Sequence, residues 1–182
     1  QARILPIVGA LASGGTIVSV DTYRAETARL AVEKGAHIVN DVWGAQREPD
    51  IARVAAETGA GLLLMHTGRE RQKEKDVIAD QFAFLEKSVD IARSAGAPAE
   101  SIVLDPGFGF AKEVDENLDL MARFQELRAL GLPLLVGTSR KRFVGHVTGR
   151  DPEQRDAGTA GTSVILRLKG AHLFRVHDVA IN

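Results

Sequence analysis

Asp21, Asn40, His66, Asp105, Lys141, Arg175 and His177 each stand at or just beyond the carboxyl end of a short apolar run. The runs are Val18–Asp21, His37–Asn40, Leu62–His66, Ile102–Asp105, Leu134–Lys141 and Leu173–Asp178. Carboxylates and an amide can take the donor edge of a flat heterocycle, while Lys, Arg and His suit an anion or a ring carbonyl. Short β-branched and leucine runs between helical stretches read as parallel strands buried on both faces. The carboxyl ends of such strands open onto one face, where ligands bind. The seven side chains are therefore expected to converge.

Three segments carry most of this chemistry. In Asp105-Pro-Gly-Phe-Gly-Phe-Ala-Lys112, two glycines and a proline make a tight loop after a buried strand. Asp105 can accept two parallel hydrogen bonds, and Phe110 can wall a flat ligand. The plainer alternative makes Asp105 a loop cap and both phenylalanines local packing. In Gly137-Thr-Ser-Arg-Lys-Arg-Phe143, three cations follow two hydroxyls at a helix start, where positive charge opposes the macrodipole. An anionic or carbonyl-bearing ligand would relieve that conflict; a solvated basic turn is the alternative. In Arg175-Val-His-Asp178, strand alternation puts Arg175 and His177 on one face as a phosphate clamp. A structural role for Arg175 would instead need a carboxylate such as Asp178 or Asp105.

Other signals are weaker. Asp21 or Thr22 can cap a helix, and Asn40-Asp41 suits turn chemistry. His66 has no second histidine at metal-ligand spacing. Gly158-Thr-Ala-Gly-Thr-Ser163 lacks the Gly-Lys-Ser/Thr ending of a phosphate loop, so it reads as the small-residue face of a helix.

Helices must fill the intervals. Ile78, Phe82, Leu85, Val89 and Ala92 share a face before Gly96. Pro49 suits a first turn, with Ile51, Val54 and Ala55 inward before Gly59. Leu120, Phe124 and Leu127 precede Gly131, and Ala157, Ala160, Val164 and Leu168 precede Gly170, each set expected to face inward. Arg24–Lys34 ends at Gly35. Ile4–Ala12 has some signal-peptide character, but reads better as a helix leading into strand Ile17–Val20.

The 182 residues suit one domain, at roughly 100–200 residues each, and no linker or low-complexity segment interrupts them. A net charge of −1 leaves no basic footprint, so no nucleic-acid partner is expected. No apolar stretch approaches the roughly 20 residues of a membrane span, so no membrane partner is expected. The absence of cysteine excludes disulfides and thiolate catalysis and fits a cytoplasmic location. Repeated β-then-α units give a parallel sheet, doubly wound or closed as a barrel.

Taken together, Val20–Tyr23, Ile38–Asp41, Leu64–His66, Leu104–Phe110, Leu135–Lys141 and Gly170–Asp178 resemble the motifs of the dihydropteroate synthases, in that family's order. These enzymes are pterin-binding (β/α)8 TIM barrels. The resemblance implies a folate-biosynthesis transferase and sulfonamide target that joins a 6-hydroxymethyl-dihydropterin pyrophosphate to p-aminobenzoate. It implies pterin contacts at Asp21, Asn40, Met65, Asp105, Phe110, Gly137, Lys141 and Arg175. It further implies pyrophosphate contacts at Arg175 and His177, and p-aminobenzoate contacts at Phe110, Ser139 and Arg140. Asp21, Asp105, Lys141, Arg175 and His177 would carry catalysis. A homodimer and a Mg²⁺ cofactor are also implied, with no metal ligand in this chain.

A complete barrel of this kind runs to roughly 250 residues. Residues 1–182 are therefore expected to form one incomplete domain of about six βα units, lacking the first two units, which carry the metal-ligating loop, and the last helix. The start at Gln1 rather than methionine points the same way. The alternatives are a pterin- or folate-dependent methyltransferase barrel and a non-catalytic synthase fragment. The Arg175–His177 pair and the Ser139–Lys141 run favour the synthase, because methyl transfer needs no pyrophosphate clamp.

Overall fold

The computed structural model describes residues 1–182 as six strands and seven α-helices, alternating except that two helices separate the last two strands. By contact density the chain divides into two compact units. One comprises Gln1–Met65 and Leu85–Leu104, the other His66–Phe84 and Asp105–Asn182.

The first unit holds strands β1 (Ser19–Asp21), β2 (Ile38–Asp41), β3 (Gly61–Met65) and most of β4 (Ile102–Asp105), in that order across one sheet. The β1–β2 and β2–β3 pairings are parallel. Their register aligns Val20 with Val39 and Asp21 with Asn40. Val39, Leu62 and Leu64 are buried, as strands covered on both faces require. Helices α1 (Leu5–Ser13), α2 (Ala25–Glu33) and α3 (Asp50–Thr58) connect them. Ala28 and Ala31 of α2, and Ile51, Val54 and Ala55 of α3, are buried as their spacing predicts. Gly59 ends α3 at φ +71°, a left-handed cap that glycine adopts without a Cβ penalty. The first strand begins two residues later than expected and leaves Ile17 largely exposed. Helix α4 (Val77–Ser94) buries Ile78, Leu85, Val89 and Ala92, whereas Phe82 is only half-buried.

The second unit holds the parallel pair β5 (Leu135–Val136) and β6 (Leu173–Phe174) with helices α5 (Val114–Ala122), α6 (Arg142–Thr148) and α7 (Asp156–Leu168). A capping box opens α5, with Glu113 and Glu116 exchanging side-chain and backbone bonds. The expected helix through Leu120, Phe124 and Leu127 breaks at Arg123 into a 3₁₀ stretch over Phe124–Leu130. The Arg123 guanidinium pairs with Asp76 and Glu126 there, and all three apolar side chains stay buried.

Helix α7 corrects the sequence reading more sharply. Its buried side is Thr159, Thr162, Ser163 and Leu166, while Val164 is 61% and Leu168 83% exposed. The cause is polar. Thr162 Oγ1 lies 2.7 Å from Thr138 Oγ1, and Thr159 Oγ1 accepts the backbone N–H of Arg140 at 3.1 Å. The small-residue motif packs closely at Gly158, against helix α6. A Cβ on Gly158 would come within 2.9 Å of Val144 and 3.0 Å of Thr148.

Phe108 anchors this unit, fully buried with ring centroids 5.8 Å from Phe143 and 6.5 Å from Phe124. No helix is long and apolar enough to cross a membrane. Phe108→Ala should lower the free energy of unfolding by about 3–5 kcal/mol, whereas Val164→Ala should change it by less than about 0.5 kcal/mol. Urea denaturation of the two variants checks this, and comparable losses would restore the inward reading of α7.

Candidate functional site

In the first unit, strand register sets Asp21 beside Asn40, and Asn40 Nδ2 donates to Asp21 Oδ1. Asn40 is 7% exposed, and its Oδ1 is buried with no hydrogen-bond partner. A buried acceptor of that kind is costly unless something donates to it. Asp41 is used structurally, accepting the N–H groups of Trp43 at 2.8 Å and Ala45 at 2.7 Å. Burial raises its pKa. The turn chemistry expected of Asn40-Asp41 thus belongs to Asp41. Met65 is buried at the end of β3.

In the second unit, Asp105 ends β4 and is 7% exposed. Its Oδ1 accepts the Gly107 N–H at 2.7 Å. Burial raises the Asp105 pKa, opposed by Lys141, the Gly107 bond, Lys112 and Arg175. The loop that follows is fixed carbonyl by carbonyl. Gln81 Nε2 donates to Pro106 O at 3.2 Å, Lys112 Nζ to Gly107 O at 3.0 Å, and Lys141 Nζ to Phe108 O. Gly109, at φ +76°, leaves room for the lysine, because a Cβ there would sit 3.0 Å from Lys141 Cδ. Of the two phenylalanines, Phe108 belongs to the core. Phe110 is half-buried, with the Lys141 ammonium 4.6 Å and the Arg69 guanidinium 5.2 Å from its centroid.

Lys141 precedes α6 in extended conformation. Burial lowers its pKa to about 8, against the pull of Asp105. Gly137, Ser139, Lys141, Arg175, Val176 and His177 line a cleft of about 200 Å³. Ser139 is buried and bridges to His177 twice. The His177 backbone N–H donates to Ser139 Oγ at 3.1 Å, and Ser139 Oγ lies 2.8 Å from Nδ1. With the hydroxyl donating to Nδ1, the neutral ring keeps its proton on Nε2, where it can donate to an anion.

Arg140 stands apart from these cations. At φ +58° its guanidinium grips Asp156 in a fork, at 2.8 and 2.7 Å. Arg142 shares with Phe110, Arg69, Lys112 and Lys141 a neighbouring cleft of about 190 Å³. No group of three or more His, Asp or Glu side chains is arranged to hold a metal ion.

His66, expected among the converging strand-end residues, is instead the centre of a buried network whose other members sequence reasoning missed. His66 is fully buried, with Nε2 2.9 Å from Asp80 Oδ2 and Nδ1 2.8 Å from Lys112 Nζ. Arg71 donates to both Asp80 oxygens, at 2.8 and 2.6 Å. Lys112 is 5% exposed, and burial lowers its pKa to about 7. Asp80 titrates well below the usual carboxylate range, because its bonds to His66 and Arg71 outweigh its burial. Besides the strand-end position of His66, the sequence signal was a lysine closing a glycine-rich loop after a strand-end aspartate.

Parallel strands whose terminal loops present acid, amide and cations define a ligand-binding protein of the βα-barrel class. The chain belongs to the pterin binding enzyme family, whose match covers residues 1–177. It is 43% identical to a dihydropteroate synthase of Bacillus subtilis over 180 residues, covering 98% of this chain and 63% of that protein. It is 44% identical to one of Mycobacterium leprae over 190 residues, covering 97% and 67%. The dihydropteroate synthase of Xanthomonas albilineans, solved with 4-aminobenzoic acid, superposes with a TM-score of 0.93 at 37% identity, covering 99% of this chain and 66% of that one. The same enzyme in complex with 7,8-dihydropteroate gives 0.92 at 37% identity, covering 99% and 70%. The fold class is therefore that of an incomplete (β/α)8 barrel, and the chain spans about two thirds of the length of these relatives.

The buried histidine gives a pH signature. Burial lowers the His66 pKa to about 4, the Asp80 bond notwithstanding. Between about pH 6.5 and 4 the unfolded chain binds a proton that the folded chain refuses, so stability falls with pH there. The slope should reach about 1.4 kcal/mol per pH unit. Urea midpoints at pH 4.5 and 7 should differ less in His66→Gln than in the natural chain; equal differences would show that His66 does not titrate this way.

Proposed function

We propose that the chain is the larger part of a dihydropteroate synthase. This enzyme makes 7,8-dihydropteroate from 6-hydroxymethyl-7,8-dihydropterin pyrophosphate and p-aminobenzoate. The carrying observation is a buried carboxylate, Asp105, facing Lys141 and Arg175 in the same unit as the Ser139–His177 pair. Asp105 suits the 2-amino and N3–H edge of a pterin, a double donor that matches an ionised carboxylate. Lys141 suits a ring carbonyl or nitrogen, and Phe110 with Gly137 suits the flat faces. The resemblance assigns Asp21, Asn40 and Met65 to the pterin as well; within their own unit Asn40 keeps an unpaired Oδ1 beside Asp21, and Met65 is buried.

In the reaction the bond from the exocyclic methylene carbon to oxygen breaks, and pyrophosphate leaves with the electron pair. The p-aminobenzoate nitrogen then bonds to that carbon and loses one proton. Arg175 and His177 Nε2–H neutralise charge growing on the departing group. Asp21 and Asp105 stabilise the electron-poor pterin. No protein nucleophile is needed. Phe110, beside Lys141 and Arg142, suits the ring and carboxylate of p-aminobenzoate, with Ser139 and Arg140 bordering that subsite. Because Arg140 is committed to Asp156, its part is to shape the loop.

The reading extends to small-molecule substrates, a cytoplasmic setting and pairing of two copies, all through the family. Magnesium belongs to it by resemblance alone, and no step above passes through a metal. Titration with a free pterin, with and without pyrophosphate, tests the assignment. Pyrophosphate should tighten pterin binding, and Asp105→Asn should weaken it by about 10- to 150-fold, the 1.5–3 kcal/mol of a charged hydrogen bond. His177→Ala should abolish the pyrophosphate effect and leave free-pterin binding nearly intact. Pterin binding indifferent to pyrophosphate would favour a folate-dependent methyltransferase instead.

A further inference from the structure

We propose that Lys112 is a positioning residue for the ligand site: a buried cation that fixes the Asp105 loop through Gly107 and His66 and sets its charge against the Asp105 carboxylate. This rests on the pterin-binding reading above and adds a residue to it. Lys112 Nζ donates to Gly107 O at 3.0 Å and lies 2.8 Å from His66 Nδ1. The lysine thus ties the turn after Asp105 to a histidine that is itself fixed by Asp80. The Asn117 side chain completes the tie. Its Oδ1 accepts the Gly109 N–H at 2.7 Å, and its Nδ2 donates to Lys112 O at 3.2 Å.

A cation is rarely buried without a reason. A merely structural lysine would take a direct carboxylate partner, and one candidate, Asp80, is already occupied by Arg71 and His66. Lys112 instead takes two neutral acceptors, a backbone carbonyl and an imidazole nitrogen. Asp105 is the charge that acts on it most, followed by Asp80, against the like charges of Lys141 and Lys73. Asp105 in turn feels Lys141, Lys112 and Arg175. Lys141 and Arg175 line the cleft with Ser139 and His177, whereas Lys112 borders the neighbouring cleft beside Phe110 and is tied to His66 and Gly107. Those two bonds hold its ammonium against the loop when a ligand draws on Lys141 and Arg175.

The test is an NMR titration of ¹³C-labelled aspartate carboxyls, with Asp105 assigned through Asp105→Asn. In Lys112→Met, of similar length but uncharged, the Asp105 pKa should rise by one unit or more, while Lys112→Arg should keep it within half a unit. An unchanged Asp105 in Lys112→Met overturns the proposal. Should that variant fail to fold, reciprocity supplies the same coupling from the other side. The Lys112 titration should then move down in Asp105→Asn by a matching amount, and no movement overturns the proposal equally. Neither readout needs a ligand. Failure of the natural chain to bind a pterin would therefore count against the functional reading, and an absent coupling against Lys112. Where pterin does bind, Lys112→Met should weaken it at least 10-fold and leave inorganic pyrophosphate binding unchanged.

Discussion

The second unit is organised around the burial of one carboxylate. Asp105 ends a strand of buried apolar residues and is itself withdrawn from water. An ionised carboxylate in that position is costly unless charge and hydrogen bonds compensate it. The compensation comes from a local N–H, from Lys112 and Lys141, and from Arg175. Each of these imposes a further requirement. Lys141 needs glycine at 109, and Lys112 needs His66, which in turn needs Asp80 and Arg71. A site of this kind is preorganised: its charges are already opposed before a ligand enters, so little reorganisation is left to binding.

Packing supports the same end. Phe108 inserts between Phe124 and Phe143 and so pins the middle of the loop whose ends carry Asp105 and Phe110. Helix α7 contributes hydroxyls inward where an apolar face was expected. Thr162 meets Thr138 and Thr159 receives the Arg140 N–H, which seats the loop after β5 that presents Ser139 and Lys141. In the first unit, register alone brings Asp21 and Asn40 together.

Much of this was legible in the residues. Six strands, the glycine stops at Gly59 and Gly131, and the strand-end positions of Asp21, Asn40, Asp105 and Lys141 follow from period, length and turn chemistry. The inner side of α7 was not legible, because its apolar stripe was stronger than the threonines that bury; only the backbone groups they serve explain the choice. Phe108 and Phe110 were likewise indistinguishable by type. Alternation about a glycine sends one to the core and leaves the other beside two cations. His66 was legible as a strand-end residue but not as the partner of Lys112, because a buried cation satisfied by an imidazole and a carbonyl has no pattern in sequence. The bidentate commitment of Arg140 to Asp156, sixteen residues on, was equally invisible.

The central claim is that an ionised Asp105 reads the amino edge of a pterin. The most direct test compares the affinities of a pterin and of its 2-oxo analogue, which lacks the exocyclic amino donor, in the natural chain and in Asp105→Asn. The account predicts that the natural chain prefers the amino compound by at least 10-fold, about 1.4 kcal/mol, and that the preference largely disappears in the variant. The same preference in both proteins would show that another group reads that edge and would contradict the account.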